Sequence, residues 1–208
     1  RVWLPWLRAT SELCCTSRPA VRDASVVALQ RALLHSEVRG ESAEVWSAAF
    51  EAVVFPLLSD LLQRTVRGEL DDERLMLRAV TLLSKAFLHH LATLLTLPAF
   101  TRLWLRALEL LQSFLKANSE LLQEAVPETL KNMLLVMSTA GAFEPGGPAG
   151  HADQSLASIT KAVIDGFCPE LCSGADLASI WGGQSHIPGG QSHIPGQSHI
   201  PASDQVTK

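Results

Sequence analysis

The sequence predicts an all-α fold of stacked antiparallel helices, and three observations carry that expectation. Apolar residues recur at helical spacing across most of residues 1–143, with short connectors between the runs. No stretch sustains the period-two alternation of a strand, and no Asn-Gly or Asp-Gly pair offers a hairpin turn. Hydrophobic residues make up 47% of the 208 and charged residues 18%, which is ample apolar material for a core and argues against global disorder.

The opening "RVWLPWLRATSELCC" is apolar but broken by Pro5, Arg8 and Glu12, so a helix is expected there and a signal peptide is not. "SRPAVRDASVVALQRALLHS" places Pro19 in a first helical turn and Val26, Leu29 and Leu33 on one face. From Ser42 to about Arg64, Trp46, Phe50, Val53, Val54, Leu57, Leu58 and Leu61 form a single stripe. Pro56 lies inside that stripe and is expected to kink the helix, because it removes a backbone donor and clashes with the preceding turn.

Gly68 then stops the chain, and Asp71, Asp72 and Glu73 suit the positive end of a new helix. That helix carries Leu75, Met76, Ala79, Leu82, Leu83, Ala86, Phe87, His90 and Leu91 and is expected to run on until Pro98. Its stretch "AVTLLSKAFLHHLATLLTL" keeps Lys85, His89 and His90 at helical spacing, which reads as a core helix rather than a bilayer span. The cleanest stripe follows in Phe100, Leu103, Trp104, Ala107, Leu108, Leu111, Phe114 and Leu115. A short helix capped by Asn118 or Ser119 is expected through Val126.

A separate last helix should begin with Pro127 in its first position and end at Gly141. Its stripe of Leu130, Met133, Leu134 and Met137 is expected to pack on the Leu108, Leu111 and Leu115 side of the preceding long helix. Leu135 and Val136 widen the stripe, so this helix needs neighbours on more than one side.

Domain organisation follows from a change of texture. Residues 1–143 form the helical-repeat domain, and 144–154, with "EPGGPAGHADQ", a flexible linker. Residues 155–172 offer one more amphipathic helix, with Ile159, Val163 and Phe167 on a side. Residues 173–208 are expected to be a disordered low-complexity tail built on three copies of Gln-Ser-His-Ile-Pro. Helices that cannot bury their stripes alone pack in pairs, as a bundle or an α-solenoid. "PAVRDASVVAL" (19–29) resembles the second helix of a HEAT repeat and tilts the choice to a solenoid of HEAT, armadillo or tetratricopeptide type.

Candidate chemistry is thin. The net charge is −4 and the 17 basic residues are scattered, so the footprint of a nucleic-acid binder is missing. Four cysteines make no disulfide framework and fit a reducing, cytosolic compartment. His186, His193 and His199 in the tail could chelate a transition metal weakly, yet a specific site needs preorganised ligands. His89 and His90 point about 100° apart on a helix and cannot share a metal; His90 is expected in the core and His89 at the surface.

Cys14 and Cys15 read as small core filler, and Cys168 and Cys172 are separated by Pro169 with no second ligand pair nearby. Met76, Met133 and Met137 are too few for an adaptable binding groove and read as core. No phosphate-binding glycine loop, nucleophile elbow or metalloprotease motif is present. No catalytic, cofactor-binding or metal-ligating residue is therefore expected, and no cofactor.

At "LLQEAVPETLKNMLLVM" (121–137) the chain resembles the carboxy-terminal region of the Golgi brefeldin-A-resistance family of large guanine-nucleotide exchange factors for ADP-ribosylation-factor GTPases. "LCC" (13–15), "VR" (21–22), "LQRALL" (29–34), "FPLL" (55–58), "LLSKAFL" (82–88) and "LW" (103–104) match in the same order. The likeness covers roughly residues 3 to 143 and continues through "ITKAVIDGFCPEL" (159–171).

The resemblance implies a non-catalytic helical scaffold downstream of an exchange domain, acting in early Golgi vesicle traffic. Its partners would be other domains of the same factor, the Golgi membrane or small-GTPase-related proteins. It would lie in the cytoplasm, peripheral on cis-Golgi membranes. None of the family's exchange residues falls within these 208 residues. The rival expectation is an independent peripheral membrane-binding or protein-interaction module, using residues 155–172 as an interfacial helix.

Overall fold

A computed structural model describes residues 2–35, 41–117, 119–144 and 155–181. Among these every regular element is helical, as the sequence stripes require. The first pair is α1 (Trp3–Leu13) and α2 (Pro19–Leu34), which pack on each other; Pro19 opens α2 at its first position. The next rod runs unbroken from Ala43 to Val66, as α3 (Ala43–Ala49), a π-helical turn (Phe50–Val54) and α4 (Phe55–Val66). It is long and apolar enough to cross a bilayer, but all seven residues of its expected stripe are buried in the core.

A π turn lies just ahead of Pro56, where a kink is expected. A proline deprives the carbonyl four residues back of its donor and collides with it in α geometry. One widened turn just ahead of the ring, where the Phe55 N–H donates to the Phe50 carbonyl, lets the rod continue.

Gly68, at φ +70°, ends the rod. α5 (Glu73–His89) starts on Asp72, whose Oδ1 accepts the Leu75 N–H at 2.9 Å. The expected long helix to Pro98 is interrupted at His90, beyond which comes only the short α6 (Leu91–Leu94). The imidazole explains the break: His90 is buried, stacks on Trp46 with ring centroids 3.4 Å apart, and places Nε2 2.7 Å from the Leu33 carbonyl. A tertiary partner has taken over from helix continuation.

α7 (Phe100–Leu115) buries its predicted stripe, apart from Leu115, which is half-buried. α8 (Glu120–Thr139) corrects two expectations. It is one continuous helix capped by Ser119, with Pro127 inside it rather than at a new start. The carbonyl that Pro127 leaves without a donor belongs to Gln123, an exposed residue where water can serve. Leu130, Met133, Leu134 and Met137 are fully buried, but α8 packs most extensively on α5, with α7 as a second neighbour.

α9 (Leu156–Asp165) is turned from the expected face. Leu156, Thr160 and Ile164 are buried, while Ile159, Val163 and Phe167 are half-buried. The reason is a hydrogen bond: Trp104 Nε1 donates to Thr160 Oγ1 at 2.9 Å, both residues fully buried, fixing α9 on α7. Pro169 then opens a short α10 (Pro169–Ser173), followed by a 3₁₀ turn (Ala175–Leu177).

Residues 173–181, expected as the start of the tail, are instead packed on the helices. Leu177 and Ile180 are buried, Trp181 donates to the Leu171 carbonyl at 3.1 Å, and Asp176 pairs with Lys131 of α8 at 2.6 Å. The rest of that tail, and nearly all of the expected linker, lie outside the described residues.

The core centres on α5, which touches α2, α4, α6, α7 and α8. An aromatic chain crosses it, from Phe55 to Phe50 (5.8 Å between centroids), Phe87 (5.7 Å) and Trp104 (5.5 Å). Two ion pairs with opposite polarity bind α2 to α5: Arg22 to Asp72 at 2.7 Å and Asp23 to Arg78 at 2.6 Å.

Candidate functional site

The candidate residues do not assemble into a centre. His186, His193 and His199 lie outside the described residues. His90 is committed to Trp46 and Leu33, and His89 meets it edge-on with centroids 4.7 Å apart. Among the described residues no three His, Cys, Asp or Glu side chains converge on a metal-sized site. Met76, Met133 and Met137 are all buried in the core.

The four cysteines are unbridged. Burial pushes the Cys14 thiol up to about 12, against a lesser pull from Arg78, and its Sγ donates to the Thr10 carbonyl at 3.4 Å. Burial followed by the Glu170 carboxylate raises Cys168 to about 12 as well. Cys172 is raised in the same direction, chiefly by burial. A thiol held protonated is a poor nucleophile and a poor metal ligand.

Two surface features remain. The first is an open groove of about 800 Å³ between α1 and the rod, whose wall includes Arg8, Glu12, Cys15, Glu51, Pro56 and Asp60. The π turn and Pro56 shape one side of it, so the backbone irregularity and the concavity coincide. The Cys15 thiol and the Asp60 carboxylate both line it, and burial, followed by the influence of Asp60, pushes the thiol up to about 12.

Burial would raise Asp60 too. The Cys15 contact, the Arg64 guanidinium at 2.8 Å and the nearby Arg67 outweigh it and hold the carboxyl below its usual range. The groove carries mixed charge, and its one thiol, Cys15, is held protonated. Sequence reasoning missed it; its one signal was a proline inside an unbroken apolar stripe.

The second feature is the outer face of the first pair. Val2, Trp6, Ala9 and Leu13 recur at helical spacing and all are exposed, with Trp6 at 46% and Leu13 at 50%. Leu13 also lines a shallow trough between α1 and α2, with Thr10, Ala20, Val21, Ala24, Ser25 and Ala28 and no charged residue. α1 therefore has two apolar sides, the inner one carrying Leu7 and Cys14.

Stacked helical pairs, a continuous core and surfaces made for packing define a class of protein, the helical-repeat segment of an α-solenoid. The chain belongs to the family described as "GBF1-like, tetratrico peptide repeat region", which it matches over residues 3–171. It is 36% identical over 174 residues to the Caenorhabditis elegans homologue of Golgi-specific brefeldin A-resistance guanine nucleotide exchange factor 1, covering 82% of this chain and 8% of that protein.

It is 32% identical over 178 residues to the ARF guanine-nucleotide exchange factor GNOM of Arabidopsis thaliana, covering 82% of this chain and 12% of the relative. A second Arabidopsis thaliana ARF guanine-nucleotide exchange factor, GNL1, is 30% identical over 183 residues, with 83% and 12% covered. The chain thus spans only 8–12% of the length of these relatives. No solved structure matches it.

Proposed function

We propose that the chain is a non-catalytic scaffold segment of a large exchange factor for ADP-ribosylation-factor GTPases, serving early Golgi vesicle traffic from the cytoplasmic face of cis-Golgi membranes. Its work is mechanical. A stack of helical pairs holds the exchange domain and its neighbours at fixed separations and offers surface to other domains of the same factor. The observation that carries this reading is the continuous core centred on α5, with two ion pairs joining α2 to α5, in a chain where no reactive centre is seen among the described residues. Relatives that are exchange factors many times longer than this chain support the same reading.

The test is release of a fluorescent guanine nucleotide from an ADP-ribosylation-factor GTPase, with and without the chain. No acceleration is expected at any ratio. A clear acceleration at stoichiometric amounts would overturn the scaffold reading. Flotation with phosphatidylcholine–phosphatidylserine vesicles separates the rival: the scaffold stays at the bottom of the gradient, whereas a self-sufficient membrane module rises. The helix that rival needs has Leu156, Ile164 and Leu171 buried in the core, which leaves it little apolar surface to insert.

A further inference from the structure

The two ends of the array are finished differently. At one end, α9, α10 and the 3₁₀ turn lie across α7 and α8. They turn Ser158, Lys161, Asp165, Glu170 and Asp176 outward. That is a polar cap. At the other end the α1–α2 pair turns outward Trp6, Leu13, Val21 and Val27, the last two 36% and 42% exposed, with Arg31 the charged residue on the same stripe of α2. Between the helices lies the uncharged trough floored by Ala20, Ala24 and Ala28.

In a helical-repeat stack a terminal pair needs a polar outer face to stay soluble, while an internal pair has an apolar face on both sides. By that criterion α1–α2 is built as an internal pair. Alanines four residues apart along α2 let another helix approach closely, and bulkier Leu13 and Val21 at the rim give it ridges to interlock with. A charged or flexible partner would gain nothing from such a lining.

We infer that the outer α1–α2 face is a seam inside a longer array, and that it seats a further antiparallel helical pair of the same exchange-factor polypeptide. The inference rests on the exchange-factor reading above, because relatives of which this segment is only 8–12% have the chain to supply that pair. It goes beyond that reading by naming where the array continues and by what chemistry.

The experiment uses Ala24→Cys in the isolated chain and in a full-length exchange factor carrying this segment, with maleimide modification of that position followed by peptide mass spectrometry. Position 24 should be modified about tenfold or more slowly in the full-length monomer than in the isolated chain. Equal rates would overturn the inference. Protection that appears only at concentrations where the full-length protein dimerises would assign the face to a second copy. Protection that appears only with phosphatidylcholine–phosphatidylserine vesicles would assign it to lipid. Either result also overturns the inference.

A second variant reads the same seam through stability. Leu13→Glu with Val21→Glu should lower the melting midpoint of the full-length protein more than that of the isolated chain, where the two side chains are already 50% and 36% exposed. An equal shift in the two proteins would refute the seam. The nucleotide-release assay reports on the scaffold reading separately, so the two ideas can fail independently.

Discussion

Replacing Thr160 by Val removes one oxygen from the interior and almost no volume. Both Thr160 and Trp104 are fully buried, and the indole N–H reaches the threonine hydroxyl at 2.9 Å. The valine variant therefore leaves a desolvated donor without its acceptor. A buried group stranded in this way costs about 1–3 kcal/mol, more than the roughly 0.5–1.5 kcal/mol net value of the bond itself. Valine's extra methyl recovers part of the loss through apolar burial.

For a domain of this size each kcal/mol moves the midpoint by about 2–4 °C, so a fall of roughly 2–12 °C is expected. Trp104→Phe combined with Thr160→Val removes the stranded donor as well. The double variant should therefore lose less than the sum of the two single losses. Denaturant melts followed by tryptophan fluorescence and by far-ultraviolet circular dichroism measure the cycle. Strict additivity, or a Thr160→Val midpoint equal to wild type, would refute the claim that α9 is docked through this bond. An early, separate transition for residues 155–181 would refute their membership in the same cooperative unit.

Three further outcomes are expected. Leu134→Ala should destabilise by about 2–5 kcal/mol, because its side chain is fully buried, while Lys131→Ala should hardly move the same denaturant midpoint, its ion pair with Asp176 being solvent-exposed. Iodoacetamide at neutral pH should leave Cys14 and Cys168 intact until the chain unfolds. Their thiols keep the proton to about 12 when folded and lose it near 9 when unfolded, so stability should fall as pH rises through that window, with mass spectrometry and alkaline melts as the checks. Asp72→Ala should cost more than the roughly 1 kcal/mol of an ordinary helix cap, whereas Asp72→Asn keeps the cap and loses only the charge toward Arg22, so its midpoint should lie between Ala and wild type.

What the sequence made legible was the set of stripes. Every predicted core position on α2, on the Ala43–Val66 rod and on α5 is buried, because three- and four-residue spacing is a direct image of a helix face. The misses share a cause, which is that a polar or irregular group found its partner on a distant element. Thr160 sided with the core because Trp104 was waiting for it, and His90 ended α5 because Trp46 and the Leu33 carbonyl held its ring.

Pro56 was read as a kink and Pro127 as the first residue of a new helix, yet a π turn precedes the one and α8 runs through the other beside an exposed residue. Leu177 and Ile180 looked too sparse to fold, yet they are buried, and their turn meets α8, where Lys131 pairs with Asp176 across 45 residues of chain. The groove under Pro56 was invisible for the same reason, since a concavity belongs to two helices and to neither sequence alone.

The carboxylate of Asp72 has two occupations: one oxygen holds the first amide turn of α5 and the other holds Arg22 of α2. Sliding or rotating α2 past α5 therefore cannot be a surface adjustment, because it pulls on the atom that keeps the start of α5 wound. Movement of the first pair against α5 and fraying of the opening turn of α5 are thus coupled through one side chain, and a change at either end is felt at the other.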